Sequence, residues 1–336
     1  MVNLTPDRLE EIKNGFVGRR IAVIGDLMLD RYFWGKVSRI SPEAPVPVVE
    51  IEDESTRLGG AANVANNIAS LGGIPMMIGV VGNDAGAESL RKLVVEKGFP
   101  TDGIVVDSSR STTIKTRVIA HGQHVVRIDQ EVKEYLNNEV EVRVLASLKN
   151  CIGSLDGIIL EDYNKGVFTK GLIQSIIQLA RAQKKVITVD PKFLNFFDYQ
   201  GVSVFKPNRK ETEEALGRRL FTLQDMETAG RDLLTRLDAD NVLLTLGEKG
   251  MLLLERNGSV SHVETKARHV ADVSGAGDTV IATLTMALSA GASIRESAAL
   301  ANYAGGIVCG EVGIVPIEQE ILIQTILKDI NHGGKR

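Results

Sequence analysis

Short apolar runs alternate with amphipathic stretches along most of this 336-residue chain. The apolar runs predict buried strands at residues 20–25, 75–81, 156–160, 185–189, 201–205 and 241–245. Stretches with a helical period lie between them, at about 61–71, 84–97, 136–150, 168–183 and 223–237. This alternation predicts an α/β fold, with a doubly wound and mostly parallel sheet flanked by helices on both faces. Ligands of such folds bind at the carboxyl ends of the strands.

Two segments interrupt this alternation, at about 31–58 and 111–129. The first contains three of the nine prolines and no helical period, and the second alternates β-branched residues around Gly122. We expect both segments to form extended strands that pair into a small β-strand lid over the ligand edge. An ordinary surface hairpin explains the same pattern equally well. The chain is therefore predicted to be a single domain over residues 1–336 with a lid.

The composition is that of an ordinary globular protein, with 43% hydrophobic and 24% charged residues. The formal net charge of −4 gives no support to a nucleic-acid partner, which usually requires a basic face. No apolar run approaches the ~18 residues of a membrane span, and the N-terminus shows no signal-peptide pattern. Cys151 and Cys309 lack metal-type spacing and fit a reducing compartment. We therefore expect a cytoplasmic protein without a nucleic-acid or membrane partner.

The nonapeptide DVSGAGDTV carries the strongest chemical signal. Gly275, Ala276 and Gly277 are small enough for successive backbone N–H groups to converge on an anion, and the apolar run after Asp278 predicts a buried helix. A carboxylate at such a site suits phosphoryl transfer. Two alternatives stay open. Asp278 is also a favourable helix N-cap, and the segment partly matches a dinucleotide fingerprint, although Val280 occupies its third glycine position.

A second glycine-rich element, Gly59-Gly60 followed by Asn63, begins the helical pattern at 61–71. Paired glycines let a backbone approach a ligand closely, and the Asn63 amide can bind hydroxyl groups. Asp30 follows the first strand on the same expected edge, so Asp30 and Asn63 together would bind a polyol. The alternative is a helix entered through a glycine turn, with Asn63 in its cap region.

Four ordered motifs resemble the ribokinase-like (PfkB) carbohydrate kinases over almost the whole chain. They are GGAANVAN, the NxxE element from Asn208 to Glu211, TLGEKG from Thr245 to Gly250, and DVSGAGD. The resemblance implies a ribokinase-like fold, ATP as phosphate donor and Mg²⁺ as cofactor. It also implies that Glu211 with Asn208 orders Mg²⁺ through water, although the same spacing forms a helix capping box. The nucleotide-binding positions that it implies are Asn208, Thr245, Gly247, Gly250, Gly277 and Asn302.

Three further segments, RISPEAPVPV at 39–48, DYNKG at 162–166 and DPK at 190–192, resemble the D-glycero-β-D-manno-heptose 7-phosphate kinases. These kinases phosphorylate the anomeric hydroxyl to give the 1,7-bisphosphate in ADP-heptose and lipopolysaccharide inner-core synthesis, often within a chain that also carries an adenylyltransferase. The sequence has no HxGH nucleotidyltransferase motif. We therefore expect a kinase domain alone, with a separate adenylyltransferase and phosphatase in the pathway.

The resemblance also implies residue roles. Asp278 would take the proton of the attacking hydroxyl, and the N–H groups of Ala276, Gly277 and Asp278 would stabilise the transferring phosphoryl group. The helix start is expected to keep the Asp278 carboxyl ionised, which weakens it as a base. Some members of the family use a monovalent cation near residues 272–274, a point that the sequence leaves open.

A 7-phosphate substrate also requires cations from the protein. Lys115 and Arg117 alternate onto one face of their strand, Arg127 lies on the expected partner strand, and Lys165 and Lys192 lie near strand ends. We assign the phosphate to Lys115 and Arg117 jointly, although each cation alone would be interpreted as a solvated surface charge. The lid strands offer an edge for a homodimer. Two other functions stay open: a related kinase of another sugar or nucleoside, and a regulator that binds sugar or nucleotide without catalysis.

Overall fold

The computed structural model describes residues 4–266 and 270–333, which form two β-sheets and the helices packed on them. The strands in chain order are β1 (Arg20–Gly25), β2 (Leu27–Ile40), β3 (Pro47–Gly60), β4 (Ile74–Val81), β5 (Ile104–Val106), β6 (Thr113–Ala120), β7 (Gln123–Gln130), β8 (Gly157–Glu161), β9 (Val186–Asp190), β10 (Val204–Phe205), β11 (Asn241–Thr245), β12 (Met251–Glu255) and β13 (Val260–Val263).

The helices cover both faces of the larger sheet. In chain order they are α1 (Pro6–Phe16), α2 (Ala61–Ser70), α3 (Ala85–Glu96), α4 (Asn138–Cys151), α5 (Lys170–Ala182), α6 (Arg209–Leu216), α7 (Leu223–Leu237), α8 (Ala276–Ser289), α9 (Ile294–Val308) and α10 (Gln319–Gly333). None of these described helices is long and apolar enough to span a bilayer.

The larger sheet has the strand order β13-β12-β11-β10-β9-β8-β1-β4-β5. Its strands run parallel from β11 to β5, whereas β12 and β13 pair antiparallel at one edge. All six predicted strands are confirmed, although the one predicted at 201–205 is formed only at Val204–Phe205. The doubly wound, mostly parallel sheet is therefore confirmed.

Strand β1 shows why helices pack on both faces of this sheet. Successive side chains of a strand point to opposite faces. Ile21 and Val23 lie in the core formed with α1, α2, α8, α9 and α10, whereas Ala22 and Ile24 lie in the core formed with α4, α5 and α7. Because both faces are buried, the strand is a continuous apolar run rather than an alternating one.

The smaller sheet is the predicted lid, with the order β3-β2-β6-β7. Strand β2 pairs antiparallel with β3 and parallel with β6, and Gly122, at a φ of 74°, forms the turn between β6 and β7. The lid strands extend slightly beyond the predicted segments, to Leu27 and Gly60. Only Asp26 separates β1 from β2, so the lid leaves the main sheet at the carboxyl end of β1.

Candidate active site

Asp278 is a buried carboxylate in the first turn of α8. The N-cap of this helix is Gly275, at a φ of 77°, so Asp278 occupies the third helical position and is not the cap. Its side chain is 3% exposed and accepts two hydrogen bonds of 2.7 Å, one from Asn63 Nδ2 and one from Tyr163 Oη. Two neutral donors therefore hold its two oxygens, and the interpretation of Asp278 as a plain N-cap is wrong.

Asp278 stays ionised near pH 7, as expected, but the expectation that the helix start makes it a weak base needs correction. Burial raises the pKa of Asp278 to about 6, against the opposing effect of the hydrogen bonds from Asn63 and Tyr163, and the Asp190 charge adds to the rise. Desolvation outweighs the helix dipole because this carboxyl is buried beside other carboxylates. Asp278 is thus a stronger base than the sequence predicted.

The glycine turn before Asp278 leaves little room for side chains. A Cβ on Gly275 would lie 3.1 Å from Asn63 Nδ2, and one on Gly277 would lie 3.4 Å from Asp190 Oδ2. The N–H of Ala276 donates to the Val273 carbonyl at 3.3 Å. Gly277 and Asp278 also lie in the first turn, where N–H groups have no intrahelical partner. Of the three predicted anion-binding N–H groups, these two suit the role best.

A cluster of three buried carboxylates lies at the start of α8. Glu161 ends β8, Asp190 ends β9, and one oxygen from each of them and from Asp278 lies within 4.8 Å of the others. Among the described residues, Glu161 Oε2 has no hydrogen-bond partner. Burial, with the Asp190 and Asp278 charges, raises the pKa of Glu161 well above its usual value. Three hard oxygen donors with one orphaned atom suit a divalent cation such as Mg²⁺.

Sequence reasoning missed two of the three carboxylates of this cluster and the lysine beside them. Glu161 and Asp190 directly follow the predicted strands at 156–160 and 185–189, so their position at strand ends was the available signal. Lys206 follows the predicted strand at 201–205 in the same way. It is 3% exposed, and its Nζ lies 2.7 Å from Asp190 Oδ2.

Beside the cluster lies a cavity of about 620 Å³. Its lining brings together most of the positions predicted for the nucleotide with Lys192, which was predicted for the substrate phosphate, and it adds Tyr163, Lys206 and Asp190. The predicted positions that line it are Asn208, Thr245, Gly247, Gly275, Gly277 and Asp278.

Two predicted nucleotide positions instead support nearby backbone. Asn302 Nδ2 donates to the Glu264 carbonyl at 2.7 Å, so its amide is a buried helix contact. Gly250, at a φ of 83°, lies so close to the end of β13 that a Cβ there would be 2.0 Å from the Val263 carbonyl oxygen. Both residues have packing roles in this structure.

Asn208 and Glu211 form the capping box that their spacing permits. Asn208 Oδ1 accepts from the Glu211 N–H at 2.9 Å, and Glu211 Oε2 accepts from the Asn208 N–H at 2.8 Å. The other Glu211 oxygen is paired with Lys192. Both oxygens of Glu211 therefore have protein partners, whereas Glu161 retains an orphaned one.

On the lid side, the predicted polyol pair is engaged by protein groups. Asp30 forms a buried ion pair with Arg117, and Asn63 donates to Asp278. A Cβ on Gly59 would lie 2.1 Å from Asp30 Oδ2, and one on Gly60, at a φ of 55°, would lie 2.6 Å from the Asp26 carbonyl oxygen. Gly59 thus leaves space for the Asp30 carboxylate, and Gly60 leaves space for the Asp26 carbonyl.

The predicted phosphate-binding cations differ in their partners. Arg117 pairs with Asp30, Lys192 with Glu211, Arg127 Nη2 with Asp129 Oδ2 at 2.8 Å, and Lys165 Nζ with Glu131 Oε2 at 2.6 Å. Arg127 lies on the partner strand, as predicted, and directly opposite Arg117 in the β6–β7 ladder, but its side chain is 58% exposed.

Lys115 differs from the other four cations. Within the described residues, no carboxylate lies within ion-pair distance of its ammonium, whose Nζ is 4.8 Å from the centre of the Tyr163 ring. Burial lowers the pKa of Lys115. A half-buried ammonium without a carboxylate partner favours the binding of an anion there.

Comparison with known proteins agrees with this geometry. Residues 19–320 match the pfkB family of carbohydrate kinases. A buried carboxylate at a helix N-terminus, beside clustered acids and a large cavity, is compatible with a phosphotransferase site. The chain belongs to the pfkB carbohydrate kinase family, as its motifs predicted.

Curated relatives are similar over most of this chain. One, named bifunctional protein HldE, from Geobacter sulfurreducens, is 44% identical over 311 residues, which are 93% of this chain and 63% of that protein. Another of the same name, from Desulfatibacillum aliphaticivorans, is 41% identical over 304 residues, 90% of this chain and 62% of that protein. The chain therefore spans under two thirds of the length of these relatives.

Solved structures share the fold at low sequence identity. Phosphofructokinase-2 from Escherichia coli in complex with potassium has a TM-score of 0.75 at 20% identity, covering 94% of this chain and 99% of that one. Ribokinase from Arabidopsis thaliana, complexed with ribose and ATP, has a TM-score of 0.73 at 17% identity, covering 93% and 99%. The ribokinase-like fold is thus confirmed.

Proposed function

We propose that this chain phosphorylates the anomeric hydroxyl of D-glycero-β-D-manno-heptose 7-phosphate, with ATP as donor, to give the 1,7-bisphosphate. The observation that carries the phosphotransfer chemistry is the buried Asp278 carboxyl, with a pKa raised to about 6 by burial, in the wall of a cavity of about 620 Å³. The heptose assignment rests on the segments at 39–48, 162–166 and 190–192.

In this reaction Asp278 accepts the proton of the anomeric hydroxyl while that oxygen attacks the γ-phosphorus of ATP. A new P–O bond forms, the bond from the γ-phosphorus to the β–γ bridging oxygen breaks, and ADP leaves. The N–H groups of Gly277 and Asp278 stabilise the charge on the transferring group. Asp278 then releases its proton to solvent, so charge and atoms balance.

Glu161 and Asp190 are the residues that would hold Mg²⁺, because Glu161 Oε2 is buried without a partner among the described residues. When bound, Mg²⁺ neutralises the phosphate charge that would otherwise repel these carboxylates. Glu211 with Asn208 stays a prediction for support of the metal through water. A monovalent cation near residues 272–274 and pathway partners that supply adenylyl transfer and phosphatase steps likewise stay predictions.

The lid also supports the prediction of a homodimer. Strand β7 is an edge strand whose side chains are almost all exposed, including Val126 at 47% and Ile128 at 56%. Open edges of this kind are templates for pairing with a second strand. The mass in solution, measured by light scattering for the unchanged chain and for Ile128→Lys, tests this prediction.

The experiment that tests the function is Mg·ATP consumption against heptose 7-phosphate, fructose 1- and 6-phosphates, ribose and adenosine. Asp278→Asn serves as the blank, with turnover lowered by on the order of 10²–10⁴ and ATP binding retained. Selective turnover of heptose 7-phosphate supports the proposal. Turnover of another member favours the alternative of a related kinase, and binding of ATP and sugar without turnover favours a non-catalytic regulator.

A further inference from the structure

The loop after β8, residues 162–166, is held by a buried carboxylate from another part of the chain. Asp26 is 2% exposed, and its Oδ2 accepts the backbone N–H of Tyr163 at 2.7 Å and of Lys165 at 3.2 Å. Burial, together with the Asp162 charge, raises the pKa of Asp26 to about 7. Because a buried carboxyl is unfavourable unless it is hydrogen-bonded, these two hydrogen bonds hold the loop backbone in place.

Further contacts hold the same loop from other directions. Asp162 Oδ1 accepts the Asn164 N–H at 2.7 Å, and its Oδ2 accepts from Tyr199 Oη at 2.7 Å. Asn164 has a φ of 55°, a left-handed conformation that asparagine tolerates. Arg110 Nη2 donates to the Lys165 carbonyl at 2.9 Å. The loop therefore presents its one aromatic side chain, Tyr163, from a fixed backbone.

Tyr163 makes two kinds of contact with groups of the site. Its hydroxyl donates to Asp278 Oδ1 at 2.7 Å. Two ammonium groups lie by its ring, Lys115 Nζ at 4.8 Å and Lys192 Nζ at 5.4 Å from the ring centre. Lys192 lines the large cavity, whereas Lys115 comes from lid strand β6.

The two lysines belong to different charge environments. Lys115 interacts electrostatically with Asp30 and with Arg117, groups of the lid. For Lys192, burial opposes the charged form, but the charges of Asp190 and Glu211 outweigh it and raise its pKa. The Tyr163 ring therefore lies between a lid group of charges and a cavity group of charges.

We propose that Tyr163 is a positioning residue for phosphoryl transfer, a role that rests on the proposed function. Its hydroxyl, with the Asn63 amide on the other oxygen, stops the Asp278 carboxylate from rotating away from the attacking hydroxyl. Its ring holds the Lys115 ammonium where the acceptor's phosphate binds. A carboxylate held by two donors is preorganised for proton transfer, and misplacement of such a group lowers the rate.

The variant Tyr163→Phe removes the hydroxyl and keeps the ring with its two ammonium contacts. We expect kcat to fall by about 10- to 100-fold, the effect of losing a hydrogen bond to a charged group, with the KM for ATP and for the sugar phosphate within about twofold of the unchanged chain. Tyr163→Leu also removes the ring, so the KM for the sugar phosphate is expected to rise in addition.

The matched control is Tyr303→Phe in α9. Tyr303 also donates to a carboxylate, Asp329 Oδ2 at 3.0 Å, and carries a lysine ammonium, Lys266 Nζ, 4.8 Å from its ring centre. These contacts join α9 to α10, so the same deletion is expected to leave kcat and KM unchanged.

A double-mutant comparison tests whether Tyr163 acts through Asp278. In an Asp278→Asn background, Tyr163→Phe is expected to lower the residual kcat by less than about twofold. Each result has a clear consequence. An unchanged kcat in Tyr163→Phe, while the wild-type chain turns over its sugar, overturns the inference and leaves the proposed function standing. Failure of the wild-type chain to turn over any sugar of the panel overturns both.

Discussion

Arg117 on lid strand β6 forms a buried ion pair with Asp30 on the neighbouring strand β2. The side chains are 12% and 3% exposed, and Arg117 also lies 5.3 Å from the centre of the Tyr32 ring. Burial opposes the charged form of Arg117, but the Asp30 charge outweighs it and raises the pKa of the guanidinium. In this structure the charge of Arg117 is committed to Asp30, which changes its expected role in phosphate binding.

Arg117→Ala is therefore expected to impair the protein more broadly than a lost phosphate contact would. Removing one partner of a buried pair leaves the other charge uncompensated, at a cost of about 3–5 kcal/mol in the free energy of unfolding. Chemical denaturation measures this loss. Arg127→Ala is the control, because its pair with Asp129 is exposed and is worth about 0–1 kcal/mol. Equal losses in the two variants would contradict the prediction.

Lys115→Met is expected to act on the substrate phosphate alone. Its ammonium is the one predicted cation without a carboxylate partner among the described residues, so no buried charge is stranded when it is removed. We expect the KM for a phosphorylated acceptor to rise by about 10- to 100-fold, with little change for an unphosphorylated sugar. Initial-rate kinetics on both acceptors check this, and a parallel rise for both would remove Lys115 from the phosphate site.

Lys115 and Arg117 show which features of the site could be predicted from the sequence and which could not. The alternation of runs predicted the main sheet, because burial on both faces leaves a clear hydrophobic pattern. The two segments that interrupt this alternation predicted the lid, and the apolar run after Asp278 predicted the helix that follows it. Lys115 and Arg117 carry the same charge and, two positions apart, lie on the same face of their strand, so the sequence does not distinguish them. Only the fold shows that Asp30 reaches Arg117 and not Lys115.

The cluster of Glu161, Asp190 and Asp278 could not be predicted from the sequence for a related reason. Glu161 and Asp190 end separate strands, and their distance from Asp278 depends on the strand order and on where α8 begins. The raised pKa of Asp278 also depends on burial, which a position within a motif does not give. Local helix signals predicted a weak base, and burial in the tertiary structure makes Asp278 a stronger one.

The pH dependence of activity follows from the Asp278 carboxyl. Burial raises its pKa to about 6, so the base is ionised above that pH and protonated below it. We expect log kcat/KM to be flat above pH 7 and to fall with a slope of one below about pH 6. The dependence of kcat/KM on pH between pH 4.5 and 8 measures this fall. We expect the fall to be absent in Asp278→Asn. A profile that stays flat down to about pH 5, as for an exposed aspartate with a pKa near 4, would contradict this prediction.

Glu161→Gln distinguishes the two candidate metal sites. Glutamine keeps the size of the side chain and removes the orphaned carboxylate oxygen, so the Mg²⁺ concentration for half-maximal rate is expected to rise by about tenfold or more. Glu211→Gln is the comparison, because both oxygens of Glu211 already have protein partners. A larger rise in Glu211→Gln would favour the metal assignment made from the sequence.

Gly59 is expected to be intolerant of any side chain, because the space for its Cβ is occupied by Asp30. A Cβ there would lie 2.1 Å from Asp30 Oδ2 and 3.0 Å from Met28 Cγ. Asp30 cannot move away freely, since it is buried and paired with Arg117. Gly59→Ala should therefore lower the free energy of unfolding by about 1–3 kcal/mol, the usual range for overpacking.

Gly153→Ala provides the control for Gly59→Ala. A Cβ on Gly153 would meet no atom within 4 Å, and this glycine does not have a left-handed φ. Alanine there is expected to be neutral or to stabilise the protein by about 0.4–1 kcal/mol, because it restricts the unfolded chain. Thermal and chemical unfolding of the two variants, with the KM for the acceptor measured alongside, tests the pair. A stable Gly59→Ala variant with an unchanged KM would show that Asp30 and the lid can move apart, contrary to the buried ion pair described above.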